Sequence, residues 1–226
     1  MAFVGFTART TGFLAELSRH NERAWFEAHR PEYESAVIEP AKAFVQALGP
    51  RLRALDPKIQ AVPRVNGSIK ALERRMQFPR GGAAPYKDYL DVWFWTGRRR
   101  AWDNSGFFVR LSAERLVLAA GMVEFQKQTL ARYREHVLHE ARGPALAAVV
   151  AELRGAGYVV GGESYKKVPR GVPADHPRAA LSKHGGLFAT LEGVHPDELG
   201  TAGFVDYALS HFSRMAPVHA WLVGLG

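Results

Sequence analysis

The chain has 226 residues, a formal net charge of +8 and no cysteine. A chain of this length buries enough apolar surface to fold around its own core without disulfide or metal staples. Hydrophobic residues make up 47% and charged residues 23% of the chain, which disfavours disorder, collagen-like repeats and coiled coils, and the lack of cysteine excludes disulfides, thiolate zinc sites, iron–sulfur clusters and cysteine nucleophiles.

The N-terminal residues carry no targeting or membrane signal. No basic residue precedes the first apolar stretch, and no later run approaches the roughly 18 apolar residues that a spanning helix needs. We therefore expect a soluble, cytoplasmic protein that does not contact a membrane.

The positive charge is concentrated in two segments. Residues 64–100 carry a net +6 and residues 163–184 a net +3, so the rest of the chain is close to neutral. Arginine outnumbers lysine by 22 to 8, and the arginine fork suits phosphate and carboxylate groups. A general coding bias towards arginine on solvated surfaces explains the excess equally well.

Helices are predicted over a helical N-terminal segment, residues 10–56. Thr11 and Asn21 each precede apolar residues at helical spacing, so both are expected to cap short helices. Pro31 fits the first turn of a longer helix, and Pro40 predicts a bend within it.

Three short stretches within residues 88–121 are rich in β-branched and aromatic residues and are separated by turn-like pieces. They run from Tyr89 to Thr96, from Gly106 to Ser112 and from Arg115 to Gly121. This pattern predicts an antiparallel β-meander.

Beyond the meander, helices are predicted over residues 124–155, a basic loop segment over 158–190, and a C-terminal helical segment over 197–223. Pro217 predicts a kink in the last helix or its division into two short ones. No repeat, linker or low-complexity tract divides the chain. The fold class is thus α+β, a single domain in which a central antiparallel β-meander is packed by several α-helices.

The basic loop segment contains the motifs that carry a family resemblance. It reads Val168-Pro169-Arg170-Gly171 and then Asp175-His176-Pro177-Arg178. With the opening Phe13 to Leu17 and Asn21 to Phe26, the Pro85-Tyr86-Lys87 triplet and the terminal Trp221-Leu222, the chain resembles a bacterial and fungal family known as domain of unknown function 2461. The resemblance implies the same single-domain fold and brings no established activity, substrate or catalytic residue.

One departure from that family concerns the loop before Pro85. Family members commonly carry a Ser-x-Asp-Lys pattern there, whereas this chain has Pro79-Arg80-Gly81-Gly82-Ala83-Ala84. An acid and a lysine that could take part in chemistry are therefore missing.

The two basic segments together form the main candidate site, in which Gly- and Pro-rich loops surround a small phosphorylated or carboxylated ligand. His176 and Asp175 are the candidates for proton transfer. The candidate ligand-binding residues are Arg75, Tyr86, Lys87, Lys166, Lys167, Arg170 and Arg178.

A purely structural interpretation of the same motif stays open. Asp175 would cap backbone amides and Pro177 would occupy the first position of a helix. The motif would then be a turn followed by a helix start, with no ligand.

A second candidate function, nucleic-acid binding, rests on the meander. Alternation places Tyr89, Asp91, Trp93 and Trp95 on one face of the first strand. If exposed, these aromatic rings and nearby arginines could stack bases; if covered by helices, they belong to the core. A third possibility is an adaptor subunit without a ligand.

No metal site or cofactor is predicted. His136, His139 and Glu140 share one helix face, but no further ligand at a recognisable spacing completes a set. Nucleotide-binding and serine-hydrolase sequence motifs are also missing. The sequence decides neither whether the protein is an enzyme nor its oligomeric state.

Overall fold

The computed structural model describes residues 2–74, 84–97 and 103–225. Its N-terminal part is helical, as predicted. The helices are α1 (Ala8–Arg19), α2 (Arg23–Ala28), α3 (Arg30–Tyr33) and α4 (Glu39–Leu52), with a π-helical turn over Glu34–Ile38 between the last two.

The predicted caps of the first two helices are wrong. Helix α1 starts earlier than expected, with Thr7 at its N-cap, so Thr11 lies inside the helix. Glu22 occupies the N-cap of α2. The side chain of Asn21 instead bonds the backbone of Tyr86 twice, donating to its carbonyl (3.0 Å) and accepting from its amide (2.9 Å). The side-chain amide of Asn21, which the local spacing predicted to cap α2, therefore makes a tertiary contact.

The π-helical turn ends at Ile38, two residues before Pro40, where a bend was expected. Proline has no N–H to donate to the carbonyl of Ala36, four residues earlier. The hydroxyl of Thr10, in helix α1, donates to that carbonyl oxygen at 2.7 Å. Thr10 is fully buried, so this bond joins α1 to the irregular turn inside the core.

The sheet contains the predicted antiparallel meander. Its strands are β1 (Ile59–Gln60), β2 (Tyr89–Thr96), β3 (Gly106–Ser112), β4 (Arg115–Met122), β5 (Val159–Glu163) and β6 (His184–Val194). All six lie in one antiparallel sheet in the order β1-β2-β3-β4-β6-β5. The α+β fold class is confirmed.

The second half of the chain alternates helices with the last two strands. Helices α5 (Lys127–Leu138), α6 (Arg142–Gly155) and α7 (Ala179–Ser182) precede a 3-10 turn (Asp197–Gly200) and helix α8 (Phe204–Val223). Helix α8 runs unbroken through Pro217, so the alternative of two short helices is wrong.

Strand β6 is the main element that the sequence did not predict, because it lies partly within the segment expected to be a basic loop. Glycines in β6 and in the neighbouring β4 weaken the sequence pattern of a strand. A Cβ on Gly186 would lie 1.9 Å from the carbonyl oxygen of Val123, and one on Gly121 would lie 2.3 Å from that of Leu187. Glycine at these positions lets backbone segments approach closely, at the expense of the strand signal in the sequence.

The chain packs as two compact units. The first comprises Met1–Phe94, Phe108–Val117 and Glu192–Ser210, and the second comprises Trp95–Phe107, Leu118–Leu191 and His211–Gly226. The expectation of a single domain stays a prediction.

Each unit has its own aromatic core. In the first unit, Phe44 lies 5.2 Å from Phe3, 5.3 Å from Phe6 and 5.3 Å from Phe204, measured between ring centroids. In the second, the fully buried Tyr133 packs 4.7 Å from Phe125 and 5.6 Å from Trp221. Its hydroxyl donates to the carbonyl of Leu181 at 3.0 Å.

In residues 2–74, 84–97 and 103–225, no helix has the length and apolar character needed to cross a membrane.

The Thr10 bond leads to a stability prediction. We expect Thr10→Val to destabilise the fold by about 1–2 kcal/mol, because the variant keeps the shape but removes the donor to a buried carbonyl. Urea unfolding measures the change. Thr11→Val is the matched control, since its hydroxyl makes only a long, exposed bond within the helix (3.4 Å). Equal losses in the two variants would contradict the role given to Thr10.

Candidate functional site

The second basic segment, residues 163–184, lies in the second unit. Lys166, Lys167, Arg170 and Asp175 are exposed, and His176 and Arg178 are half-buried. The exposed cations are open to solvent, where charge attracts anions weakly unless several groups converge.

His176 and Arg178 both make structural contacts. The Nδ1 atom of His176 accepts a hydrogen bond from the backbone N–H of Arg178 at 3.1 Å, so the ring holds the turn that precedes helix α7. Arg178 stands at the N-cap of α7, and the helix begins at Ala179. Pro177 therefore lies before the helix and not at its first position.

The guanidinium of Arg178 closes the C-terminus of helix α5. Its Nε donates to the carbonyl of Val137 at 2.7 Å and its Nη2 to that of Leu138 at 3.2 Å. The last carbonyls of a helix have no partner within it, and a cation there also interacts favourably with the helix dipole. A Cβ on Gly143 would lie 2.4 Å from the Arg178 Nε, so the arginine fits tightly against α6.

The first basic segment, residues 64–100, was predicted to supply three ligand-binding residues, and the structure places them in different environments. Arg75 lies outside the described residues. Tyr86 is a core residue, 3% exposed, whose ring stacks on Phe26 at 4.2 Å. Lys87 is half-buried. Lys87 belongs to the first unit and Arg170 and His176 to the second, so the pocket shared by the two segments stays a prediction.

A denser group of charged and aromatic side chains lies on one face of strands β2 and β3 in the first unit. Its centre is the carboxylate of Asp91, whose side chain is only 8% exposed. Arg110 binds it with both arms of the guanidinium, Nε to Oδ1 at 2.7 Å and Nη2 to Oδ2 at 3.0 Å. We call the group the sheet cluster, and its members are Lys70, Lys87, Tyr89, Asp91, Trp93, Phe108 and Arg110.

The aromatic members of the sheet cluster contact its cations. The guanidinium carbon of Arg110 lies 4.0 Å from the ring centroid of Tyr89 and 5.3 Å from that of Phe108. The ammonium of Lys87 lies 5.9 Å from the Tyr89 ring, and that of Lys70 lies 5.7 Å from the Trp93 ring. Cation–π contacts of this kind hold the cations in defined positions.

The cations of the sheet cluster lie in a partly desolvated environment. Burial lowers the pKa of Lys70, and the nearby charge of Lys87 lowers it further. Burial also lowers the pKa of Lys87, with Arg110 and Arg74 adding repulsion and Asp91 opposing it. Burial is the largest single influence on the pKa of Arg110 and lowers it, but the hydrogen bonds to Asp91 and the charge interactions with Asp91 and Tyr89 together outweigh burial, and the net shift is upward. The charged lysines are therefore held at a free-energy cost.

Sequence reasoning identified Lys87 but missed Lys70, Asp91 and Arg110 as site residues. Alternation had already placed Asp91 among aromatic residues on one face of β2, and an acidic residue is uncommon in a strand of this kind. Arg110, on the matching face of β3, was the other sequence feature that indicated an ion pair with Asp91.

The aromatic face of β2 is half-buried and not fully open. Leu90, Val92 and Phe94 form the opposite, buried face. The ring of Trp93 packs edge-on against Phe108 at 5.0 Å. Nucleic-acid binding through this face stays a prediction, with part of the ring surface covered by protein.

No group of three or more metal-ligand side chains comes together within the described ranges of the chain. His139 has another contact, because its Nδ1 accepts from the backbone N–H of Ala141 at 3.1 Å.

A family model described as "Conserved hypothetical protein (DUF2461)" matches residues 9–221. The chain belongs to the DUF2461 family. No curated protein sequence matches it significantly. Membership of DUF2461 confirms the resemblance found in the sequence and brings no activity with it, so function has to be argued from the geometry of this member.

Two arginines of the family motif provide a test of structural against surface roles. We expect Arg178→Ala to destabilise the fold by about 1–3 kcal/mol, because two carbonyls at the end of α5 lose their donor. Arg170→Ala should change stability by less than about 0.5 kcal/mol, because the residue is exposed. Thermal unfolding of both variants measures the difference. A large loss in Arg170→Ala would show that the exposed loop is part of the scaffold.

Proposed function

We propose that the protein binds a small phosphorylated or carboxylated ligand, and that the anionic group of the ligand binds at the sheet cluster. The observation that supports this is the imbalance of charge on a half-buried surface. Lys70, Lys87 and Arg110 bring three positive charges together around one carboxylate, that of Asp91.

The bidentate pair of Arg110 with Asp91 leaves the cluster with a net charge of about +2. Interactions between charges are several times stronger at a partly desolvated protein surface than in bulk water. A phosphate monoester carries nearly two negative charges at pH 7, so it would neutralise the cluster. A carboxylate would neutralise half of it.

The lowered pKa values of the two lysines support the same conclusion. Desolvating a cation costs stability, and strongly perturbed pKa values cluster at functional sites. An anionic ligand would offset this cost and raise the pKa of both lysines again. The geometry of the cluster and the pKa shifts of its lysines support the same ligand class.

The second basic segment keeps its own candidate ligand-binding residues. Lys166, Lys167 and Arg170 are exposed there. In this proposal His176 holds its loop through the bond to Arg178, and its role in proton transfer together with Asp175 stays a prediction.

Binding of simple anions tests the proposal directly. Isothermal titration calorimetry with inorganic phosphate, phenyl phosphate and benzoate should detect saturable binding, strongest for the phosphates. We expect Lys87→Met to weaken it at least 10-fold, since the variant keeps the aliphatic stem and removes the charge. Lys58→Met is the matched control, because Lys58 is an exposed lysine of the same unit.

The alternative, nucleic-acid binding, is a distinct outcome of the same experiment. An oligonucleotide that binds with a steep salt dependence, when phosphate and phenyl phosphate do not bind, would replace the small-ligand proposal. If none of these anions binds wild-type protein at low salt, both proposals fail.

A pH-dependent stability difference is the second prediction from the cluster. At neutral pH, Lys87→Met should be as stable as the wild type or more stable by up to about 1 kcal/mol, because the variant no longer desolvates a charge and solvent screens the half-exposed group. The folded-state pKa of Lys87 lies below its unfolded value of 10.5, so the unfolded chain binds more protons between these two pKa values. The free energy of unfolding of the wild type therefore increases relative to that of the variant as pH rises through that window.

Urea unfolding of both proteins between pH 7 and pH 11 measures this difference. A Met variant whose relative stability falls with pH agrees with the prediction, whereas a variant that is strongly destabilised at pH 7 would mean that Lys87 is held by favourable structural contacts.

A further inference from the structure

The second unit contains a polar cavity of about 360 Å³ that the proposed function does not use. Its wall is formed by the end of β2, the residues before β3, and parts of α5 and α8. The polar lining residues include Thr96, Asp103, Ser105, Gln128, Thr129 and Arg132.

Ser105 is the nucleophilic group in this wall. It is only 4% exposed as a residue, and its backbone is fixed because its carbonyl accepts from the N–H of Thr96 at 3.0 Å. Its hydroxyl oxygen lies 2.9 Å from the Nδ1 atom of His219, which helix α8 supplies from 114 residues further along the chain.

His219 is held in place from its other sides. It is 2% exposed, its ring packs 4.8 Å from that of Phe107, and its Nε2 faces the hydroxyl oxygen of Thr96 at 3.4 Å. In the tautomer that carries the ring proton on Nε2, Nδ1 accepts from the Ser105 hydroxyl. In that tautomer the two side chains form the hydrogen-bonded pair of nucleophile and base that acyl-transfer sites require.

We propose that Ser105 and His219 form a catalytic pair that hydrolyses small esters in this cavity. The Ser105 oxygen attacks the carbonyl carbon of the ester while its proton passes to Nδ1 of His219. The alcohol leaves with that proton, and an acyl group remains on Ser105. Water then attacks the acyl carbon, its proton passes through Nδ1 to the serine oxygen, and the carboxylic acid is released.

The size and chemistry of the cavity define the substrate class. A volume of about 360 Å³ lies at the lower end of the range for small-molecule sites, which limits the substrate to a short acyl chain on a small alcohol. The hydroxyl, amide and guanidinium groups of Thr129, Gln128 and Arg132 favour an ester with polar substituents over a long lipid.

Covalent labelling of the full chain tests the pair. Phenylmethanesulfonyl fluoride, which reacts with activated serines, should add one sulfonyl group to the wild-type protein, and peptide mass spectrometry should place it on Ser105. We expect Ser105→Ala to abolish labelling and His219→Gln to slow it by roughly 100-fold, the usual contribution of a general base. Release of p-nitrophenol from p-nitrophenyl acetate should be lost in Ser105→Ala and slowed to a similar degree in His219→Gln.

Ser182→Ala is the matched control, because Ser182 is also buried but its hydroxyl donates to the carbonyl of Ala179 at 2.6 Å. It should label at the wild-type rate. Circular dichroism of each variant checks folding, and the wild-type result stands even if one variant does not fold. If wild-type Ser105 stays unlabelled under conditions that modify a serine protease, or if only other residues are labelled, the proposal is overturned.

Discussion

The bidentate ion pair between Asp91 and Arg110 organises the outer face of the meander in the first unit. A carboxylate that is 8% exposed has to be matched by hydrogen-bond donors, and the planar guanidinium matches it with two bonds. Because both arms are engaged, the arginine plane is fixed and lies against Tyr89 and Phe108.

The opposite face of β2 is apolar. Leu90, Val92 and Phe94 are fully buried, and this burial supplies the stabilisation that the polar face lacks. A sheet that is secured by one face can carry groups on the other that cost free energy, such as two half-buried lysines with lowered pKa values. This division of roles is common where proteins combine a rigid scaffold with a binding surface.

The second unit uses its polar groups in two ways. Arg178 and His176 are engaged with backbone atoms and fix the ends of helices. Ser105 and His219 are paired with each other beside a cavity. The serine of this pair forms part of the cavity wall.

Local sequence determined much of the architecture. The alternation from Tyr89 to Thr96 and in the two following stretches encodes strands, because side chains of a strand point to opposite faces in turn. Pro31 and Pro40 marked the helix start and the irregular turn, because proline lacks an N–H wherever it stands. The motifs around Arg170 and Arg178, together with the opening segments, Pro85-Tyr86-Lys87 and Trp221-Leu222, likewise sufficed to find the family.

Only the tertiary structure decided which charged and polar groups meet. Arg110 reaches Asp91 across 19 residues and His219 reaches Ser105 across 114, and no local periodicity encodes contacts at such separations. Strand β6 escaped notice because close backbone packing requires glycine at positions where a strand signal needs side chains. Asn21 was expected to cap a helix and Arg178 to bind a ligand. Both side chains instead donate hydrogen bonds to backbone carbonyls far along the chain, since buried carbonyls must be satisfied by whichever donor the fold brings near.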